Sequence, residues 1–163
     1  MLSNISAPVS YSKLKAHLQV KNTSTVTSYI DYFEQAWLFF VVNQFSPSIK
    51  KQQIAPKKLY SIDTGLVTSL AFSLAEQQGP VLENLIFLCL RKKYQELFYY
   101  KTDKGYEVDF SSAETRHREI RALLAAAEEL QVDLLTIITF DHKEEIEIEG
   151  KLIEVIPAYE FLL

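Results

Sequence analysis

The sequence predicts an α+β protein in two parts, a basic helical front end followed by an acidic α/β domain. Apolar residues make up 48% of the 163 positions and charged residues 23%, which is usual for a packed globular chain. Residues 1–60 hold seven lysines and two carboxylates, a net charge of +5, whereas the remainder carries −9. Helical periodicity dominates the front, and strand-length apolar runs with turn signals recur later. We expect domains over residues 1–63 and 64–163.

Two helices open the predicted front end. Ser10 and Ser12 supply hydroxyl N-caps for a short helix over Lys13–Leu18. After the polar break Lys21–Ser24, a longer helix is expected over Thr25–Leu38. One stripe of that helix must be buried, because apolar residues recur three and four apart at Val26, Ile30, Phe33 and Trp37. A short helix, a tight polar turn and a longer helix form a helix-turn-helix outline.

Two strands are predicted next, over Phe39–Phe45 and Lys57–Ile62, with a polar, basic loop at Ile49–Ile54 between them. Strand, basic loop and strand after the second helix have the layout of a wing, so the front end is predicted to be a winged helix. We expect nucleic acid to contact exposed residues of the second helix and the wing, namely Thr23, Ser24, Thr25, Ser28, Tyr32, Lys50, Lys51, Lys57 and Lys58. Lysine contacts to phosphate give affinity without base choice. An equally weighted alternative is that these lysines only keep the domain soluble.

The second part alternates helices with short strands. Helices are predicted at Leu66–Leu74, Val81–Lys92 and Glu114–Leu130, the second of them apolar nearly all round. The strand predictions are a hairpin of Leu97–Lys101 with Tyr106–Phe110, a central strand Leu134–Phe140, and a closing hairpin of Ile146–Ile148 with Leu152–Ile156 around Glu149-Gly150. Pro157–Leu163 is expected to cap the domain.

Three carboxylates are the candidate chemical groups. Glu83 lies in an apolar helix, where a charge is costly without a partner, and Glu107 and Asp109 share one strand face. Helix carboxylate, hairpin and strand carboxylate occur in the order that restriction-endonuclease-like folds use for Mg²⁺. Such a site also needs a third element, a strand with a carboxylate and then a lysine or glutamine, to hold the metal and orient water, and no strand fits in Ser111–Ala113. We therefore expect a fold-supporting polar network, no catalysis, and Glu83 and Asp109 as the only metal candidates.

Several separate motifs then carry a family resemblance. They are Thr25-Val26, Tyr29-Ile30, Tyr32-Phe33-Glu34, Pro56-Lys57-Lys58-Leu59-Tyr60-Ser61-Ile62-Asp63-Thr64-Gly65-Leu66, Leu82-Glu83-Asn84-Leu85-Ile86-Phe87, Glu107-Val108-Asp109-Phe110 and Thr115-Arg116-His117-Arg118-Glu119-Ile120. In this order they resemble the C-terminal region of bacterial and archaeal AAA-type ATPases. That region is a winged helix followed by a domain of unknown function with a PD-(D/E)XK nuclease-like core.

The resemblance implies a non-catalytic C-terminal piece that binds DNA or another partner, including the ATPase domain itself. A Mg²⁺-dependent nuclease and a regulatory domain for the ATPase are the alternatives. No phosphate loop is present, so ATP belongs to the absent ATPase domain, and the strand of the third nuclease motif is missing after Phe110. The lone Cys89, the lack of a secretory signal and the short apolar runs favour a cytoplasmic chain without membrane contact. The oligomeric state is left open.

Overall fold

The computed structural model describes residues 5–70, 78–108 and 116–163. These residues form a mixed α+β structure, as expected. The chain divides into two compact units, residues 1–98 and 99–163. The boundary expected after residue 63 therefore falls inside the first unit. Ten basic and six acidic side chains give the first unit a net charge of +4, and seven basic and fifteen acidic ones give the second −8.

The two front helices are confirmed as α1 (Tyr11–His17) and α2 (Thr23–Gln35). Helix α2 buries Val26 and Ile30 against Leu59, with partly buried apolar side chains of α1 and the preceding segment packed around them. Burial of this stripe holds the helix pair together, because short helices gain most of their stability from packing.

Trp37 was expected to be buried with this stripe, and that expectation is wrong. The helix ends at Gln35, and Trp37 has a backbone φ of +58° with 62% of its surface exposed. The backbone amides of Trp37 and Leu38 donate to the carbonyls of Glu34 and Phe33, respectively, and these bonds close the last turn in a left-handed cap. The apolar spacing of the sequence thus extends to Trp37, two residues beyond the last residue of the helix.

Strands β1 (Phe39–Gln44) and β2 (Lys58–Ser61) are antiparallel, with Phe40 opposite Tyr60. The segment between them was expected to be a loop, but it forms helix α3 (Ile49–Ile54). The Ser48 side chain accepts from the Lys51 amide and caps this helix, which the polar composition alone did not reveal.

Helices α4 (Thr64–Leu70) and α5 (Gln78–Lys93) complete the first unit and fit their predicted positions over the described residues. Val67 of α4 is buried in a cluster with Ile5 and Phe39. Helix α5 is buried along much of its length, as its apolar composition predicted, and it packs beside β2.

The second unit contains the predicted hairpin of β3 (Phe98–Lys101) and β4 (Glu107–Val108), β3 beginning at the unit boundary. Gly105, with φ +83°, makes the turn between them, where a left-handed backbone favours glycine. The predicted continuation of β4 to Phe110 lies outside the described residues, as does the start of the helix that follows. That helix, α6, is described over Arg116–Leu130.

A three-stranded sheet closes the chain, with β5 (Leu135–Thr139), β6 (Glu144–Ile148), β7 (Lys151–Pro157) and then α7 (Ala158–Leu162). The order is β5-β7-β6, with β5 parallel and β6 antiparallel to β7. Strand β5 was predicted to be central, but β7 holds that place. The closing hairpin is confirmed, and its register puts Glu145 directly opposite Glu154 on the exposed face.

The core of the second unit forms where α6 packs on this sheet. Its buried members are Ile120, Ala127, Leu135, Ile137, Ile153 and Val155. Over the residues described, no helix is both long and apolar enough to cross a lipid bilayer.

Candidate functional site

The junction of β2 and α5 contains a buried polar network built around Glu83. One carboxylate oxygen, Oε1, accepts from the Lys58 ammonium at 3.2 Å and from the Tyr60 hydroxyl at 2.7 Å. Lys58 is 1% exposed, Tyr60 2% and Glu83 7%. Because an unpaired buried charge is very costly, the ammonium and the carboxylate stabilise one another here.

Asn84 fastens the same two elements through the backbone. Its side-chain oxygen accepts from the Ser61 amide at 2.7 Å, and its side-chain nitrogen donates to the Ser61 carbonyl at 3.0 Å. Asn84 and Ser61 are both fully buried. The side chain thus satisfies both backbone groups of the last residue of β2, as one more strand residue would.

An aromatic stack extends this network. The rings of Tyr60 and Phe87 are stacked with their centroids 4.2 Å apart, and the centroids of Phe87 and Phe40 are 5.7 Å apart. Tyr60 therefore contributes both a stacked ring and a hydroxyl to the junction. The sequence argument singled out Glu83 but missed Tyr60 and Asn84. Two signals were available: Lys58 and Tyr60 share one face of a strand, and Glu83-Asn84 is a polar pair inside an apolar helix.

The three candidate carboxylates, of which Glu83 and Asp109 were the metal candidates, are not described equally. Glu83 lies in the first unit, engaged by Lys58 and Tyr60, and Glu107 lies on β4 of the second unit, in register with Lys101. Asp109 and the segment Ser111–Ala113 lie outside the described residues. Within the described ranges, no group of three or more His, Cys, Asp or Glu side chains has the arrangement of a metal site. What the structure brings together at Glu83 is a cation and a phenol.

The predicted nucleic-acid face of α2 is largely exposed. Thr23, Ser24, Ser28 and Tyr32 are exposed, and Thr25 is half-buried beside the core stripe. Ser24, Ser28 and Tyr32 follow one another four residues apart, so they form a single polar line on the side opposite the buried Val26 and Ile30.

The four predicted wing lysines divide into two pairs. Lys50 and Lys51 are exposed on α3. Lys57 and Lys58 were expected to be exposed, and that expectation is wrong. Burial lowers the pKa of Lys57, whose ammonium donates to the Gln52 carbonyl, while its backbone pairs with Val9. Two basic residues that looked like a surface pair are internal because β2 is covered on both faces.

The turn between α1 and α2 borders an open cavity of about 410 Å³. Its lining is mixed and includes two lysines; the lining residues are Ser12, Lys15, Ala16, Gln19, Val20, Lys21 and Thr23. Nearby, Asp31 and Glu34 lie close enough to Tyr11 to help burial raise the pKa of its phenol to about 12. The lysines and the carboxylates of the helix pair thus lie toward different ends of α2, with the lysines at its N-terminal end.

The second unit has its own helix-to-strand hydrogen bonds, centred on Glu129 of α6. The Tyr100 hydroxyl donates to this carboxylate at 2.6 Å, and the Asp103 amide donates to both of its oxygens at 3.2 Å. The hydrogen bond to Glu129, with smaller effects of burial and charge, raises the pKa of Tyr100 to about 12. These contacts are exposed and attach the β3–β4 turn to α6.

Comparison with known proteins gives two similarities. A family model described as "Domain of unknown function (DUF8612)" matches residues 1–78. The chain is 36% identical to the protein named "Uncharacterized protein MJ1544" from Methanocaldococcus jannaschii, over 85% of this chain and 36% of that protein. This chain thus spans about a third of the length of the relative that it matches. No solved structure matches the chain.

Proposed function

We propose that this chain is a non-catalytic binding region of a longer AAA-type ATPase, with a winged-helix front end that docks duplex DNA. The observation that carries the proposal is the division of α2, which buries Val26 and Ile30 and leaves the line of Ser24, Ser28 and Tyr32 exposed. Recognition helices of helix-turn-helix domains have one packed face and one polar face of this kind.

The charges around α2 support contact with a phosphate backbone. Lys21 precedes the helix, Lys15 lies across the same cavity, and the net charge of the first unit is +4. Hydroxyl groups and helix N-termini also bind phosphate oxygens, so this end of α2 suits the backbone of a duplex. Lys57 and Lys58 take no part in the proposal, because both are buried.

The absence of catalysis is proposed from the partners of Glu83. Oε1 of Glu83 accepts from both Lys58 and Tyr60, so this oxygen serves to attach α5 to β2. The nuclease-like core of the family would then persist as a fold, with its helix carboxylate used to attach α5 to β2.

Salt-dependent binding to duplex DNA tests the docking proposal. We expect affinity to fall steeply between low and physiological salt, and Lys21→Gln to reduce the slope of log affinity against log salt by about 1. Lys143→Gln is the matched control, because Lys143 is an exposed lysine of the acidic second unit. An affinity that does not change with salt, or equal slopes for the two variants, contradicts the proposal.

A second function, attachment to a protein partner, has one observation in its favour. Helix α3 exposes 73% of Ile49 and 77% of Ile54, an unusual amount of apolar surface for so short a helix. In a longer protein these side chains could pack on another domain. Ile54→Ser would then weaken association with the remaining part of the longer protein and leave duplex binding unchanged.

A further inference from the structure

Two exposed side chains, Trp37 after the end of α2 and Arg91 in the last turn of α5, contact the same buried ring, that of Phe40. The Trp37 ring meets Phe40 edge-on at 6.1 Å, and the Arg91 guanidinium lies 4.0 Å over the centroid of the same Phe40 ring. Phe40 is 5% exposed, and its ring is fixed from within by Phe87. Trp37 and Arg91 thus both contact the buried ring of Phe40.

The backbone of Trp37 has a conformation that tryptophan rarely adopts. Its φ of +58° lies in the left-handed region, where a bulky side chain is rare and glycine is the usual residue at the end of a helix. The ring is also 62% exposed, so burial of the side chain does not compensate for the backbone conformation. A strained, solvent-facing tryptophan is typical of a residue kept for contact with a ligand.

The last turn of α5 is positively charged, whereas the carboxylate of Glu34, one turn before Trp37, accepts from the Val41 amide. Arg91, Lys92 and Lys93 form the last turn of α5 and are all exposed. The Arg91 guanidinium lies over Phe40, and among the described residues neither Arg91 nor Lys92 forms an ion pair with a carboxylate. Cations in a last helical turn also favour the helix dipole, but that effect does not require an exposed tryptophan beside them.

We propose that Trp37, Arg91 and Lys92 form a binding site for single-stranded DNA. One base stacks on Trp37, and the flanking phosphates pair with Arg91 and Lys92. Non-specific single-strand sites combine an aromatic platform with a basic track in this way. Tryptophan and arginine are also common at protein interfaces, but lysine is depleted there, and the two lysines next to Arg91 favour a nucleic acid.

The inference rests on the proposed DNA-binding function, but it uses different side chains and a different form of DNA. Duplex docking depends on α2 from Thr23 to Tyr32, whereas the single-strand site lies after the end of that helix. Loss of one mode with the other intact therefore identifies which proposal has failed.

Trp37 is the only tryptophan in the chain, so its fluorescence reports on the site directly. The whole protein is titrated with oligothymidylate at low salt. Stacking of a base on the ring should quench the emission, and duplex DNA of equal length should quench it far less. Absence of quenching at saturating oligothymidylate overturns the proposal, as does equal quenching by the duplex.

Affinity measured by the anisotropy of labelled oligothymidylate separates the roles of the side chains. Trp37→Ala should weaken binding by about tenfold or more, the range found for loss of one stacking contact, and Arg91→Ala should weaken it through loss of a phosphate contact. Trp37→Phe and Arg91→Lys should retain most of the affinity. The matched controls Tyr159→Ala and Lys101→Ala remove an exposed aromatic ring and an exposed lysine elsewhere and should change nothing.

The far-UV spectrum of each variant verifies that the fold is kept. Wild-type affinity in both Trp37→Ala and Arg91→Ala overturns the site. Quenching of Trp37 by polyglutamate instead of oligothymidylate assigns the surface to an acidic protein partner and overturns the nucleic-acid assignment. A tenfold preference for oligouridylate over oligothymidylate overturns the choice of DNA.

Discussion

Both units join a helix to a strand through a tyrosine that donates to a glutamate, but they do so in opposite environments. In the first unit Tyr60 donates to Glu83 at 2.7 Å inside the protein, next to the buried Lys58. In the second unit Tyr100 donates to Glu129 at 2.6 Å at the surface. The distances are nearly equal, so the difference in their contribution to stability must come from burial, since water competes only for the exposed pair.

The largest effect is expected from Glu83→Ala. Removing the carboxylate takes away the charged group 3.2 Å from the buried ammonium of Lys58, which should lower the free energy of unfolding by about 3–5 kcal/mol. Denaturant unfolding, followed by Trp37 fluorescence in the first unit, measures this loss. A double variant, Glu83→Leu with Lys58→Met, should recover much of it. A loss below about 1 kcal/mol for Glu83→Ala would show that Lys58 has other support.

Asn84→Ala is expected to cost about 2–3 kcal/mol, because it leaves the amide and the carbonyl of Ser61 buried without their hydrogen-bond partners. The same unfolding experiment applies. Asn84→Asp is the informative companion, since it keeps an acceptor for the Ser61 amide but loses the donor to the carbonyl and adds a charge. An effect of Asn84→Ala as small as that of an exposed substitution would contradict this account.

Tyr60→Phe and Tyr100→Phe make the sharpest comparison, because each removes one hydroxyl. We expect about 1 kcal/mol for Tyr60→Phe, whose hydroxyl is buried, and less than about 0.5 kcal/mol for Tyr100→Phe. The stacked ring on Phe87 is retained in Tyr60→Phe, so packing is not disturbed. Equal losses in the two variants would show that burial is not the deciding factor.

The smallest effect is one of pH. The pKa of Tyr100 is raised to about 12 by its bond to Glu129, above the ordinary value of 10.0. The unfolded chain therefore loses this proton first as pH rises, so the contribution of the bond is complete below pH 10 and disappears toward pH 12. Spectrophotometric titration of the phenols should show the high-pH phase, and Glu129→Gln should move one tyrosine to lower pKa. An unchanged titration curve in that variant would contradict the assignment.

The sequence predicted the local features well. The Glu149-Gly150 turn, the Thr102–Gly105 turn and most helices follow from short-range chemistry, since glycine allows a positive φ and apolar spacing marks a helix face. The order of the strands could not be predicted from the sequence. A continuous apolar run fits a central strand, but it also fits a strand like β5, which pairs with β7 and is covered by α6.

The errors at the candidate site have a common physical cause. Lys58 looked like one of a solvent-exposed lysine pair, but it is buried in β2 and its ammonium contacts Glu83, 25 residues later. Trp37 continued the helical spacing, yet the chain leaves the helix at Gln35. Long-range pairing and the exact end of a helix depend on the tertiary structure, which periodicity in a sequence does not encode.

The facing carboxylates Glu145 and Glu154 affect how the second unit responds to salt and to polyanions. Two like charges directly opposite each other on a sheet repel, and they lie in a unit whose net charge is −8. Salt screens this repulsion, so the closing hairpin is expected to be more stable at high than at low ionic strength. The net charge of −8 repels other polyanions from the second unit, and the DNA contacts that we propose lie in the positively charged first unit.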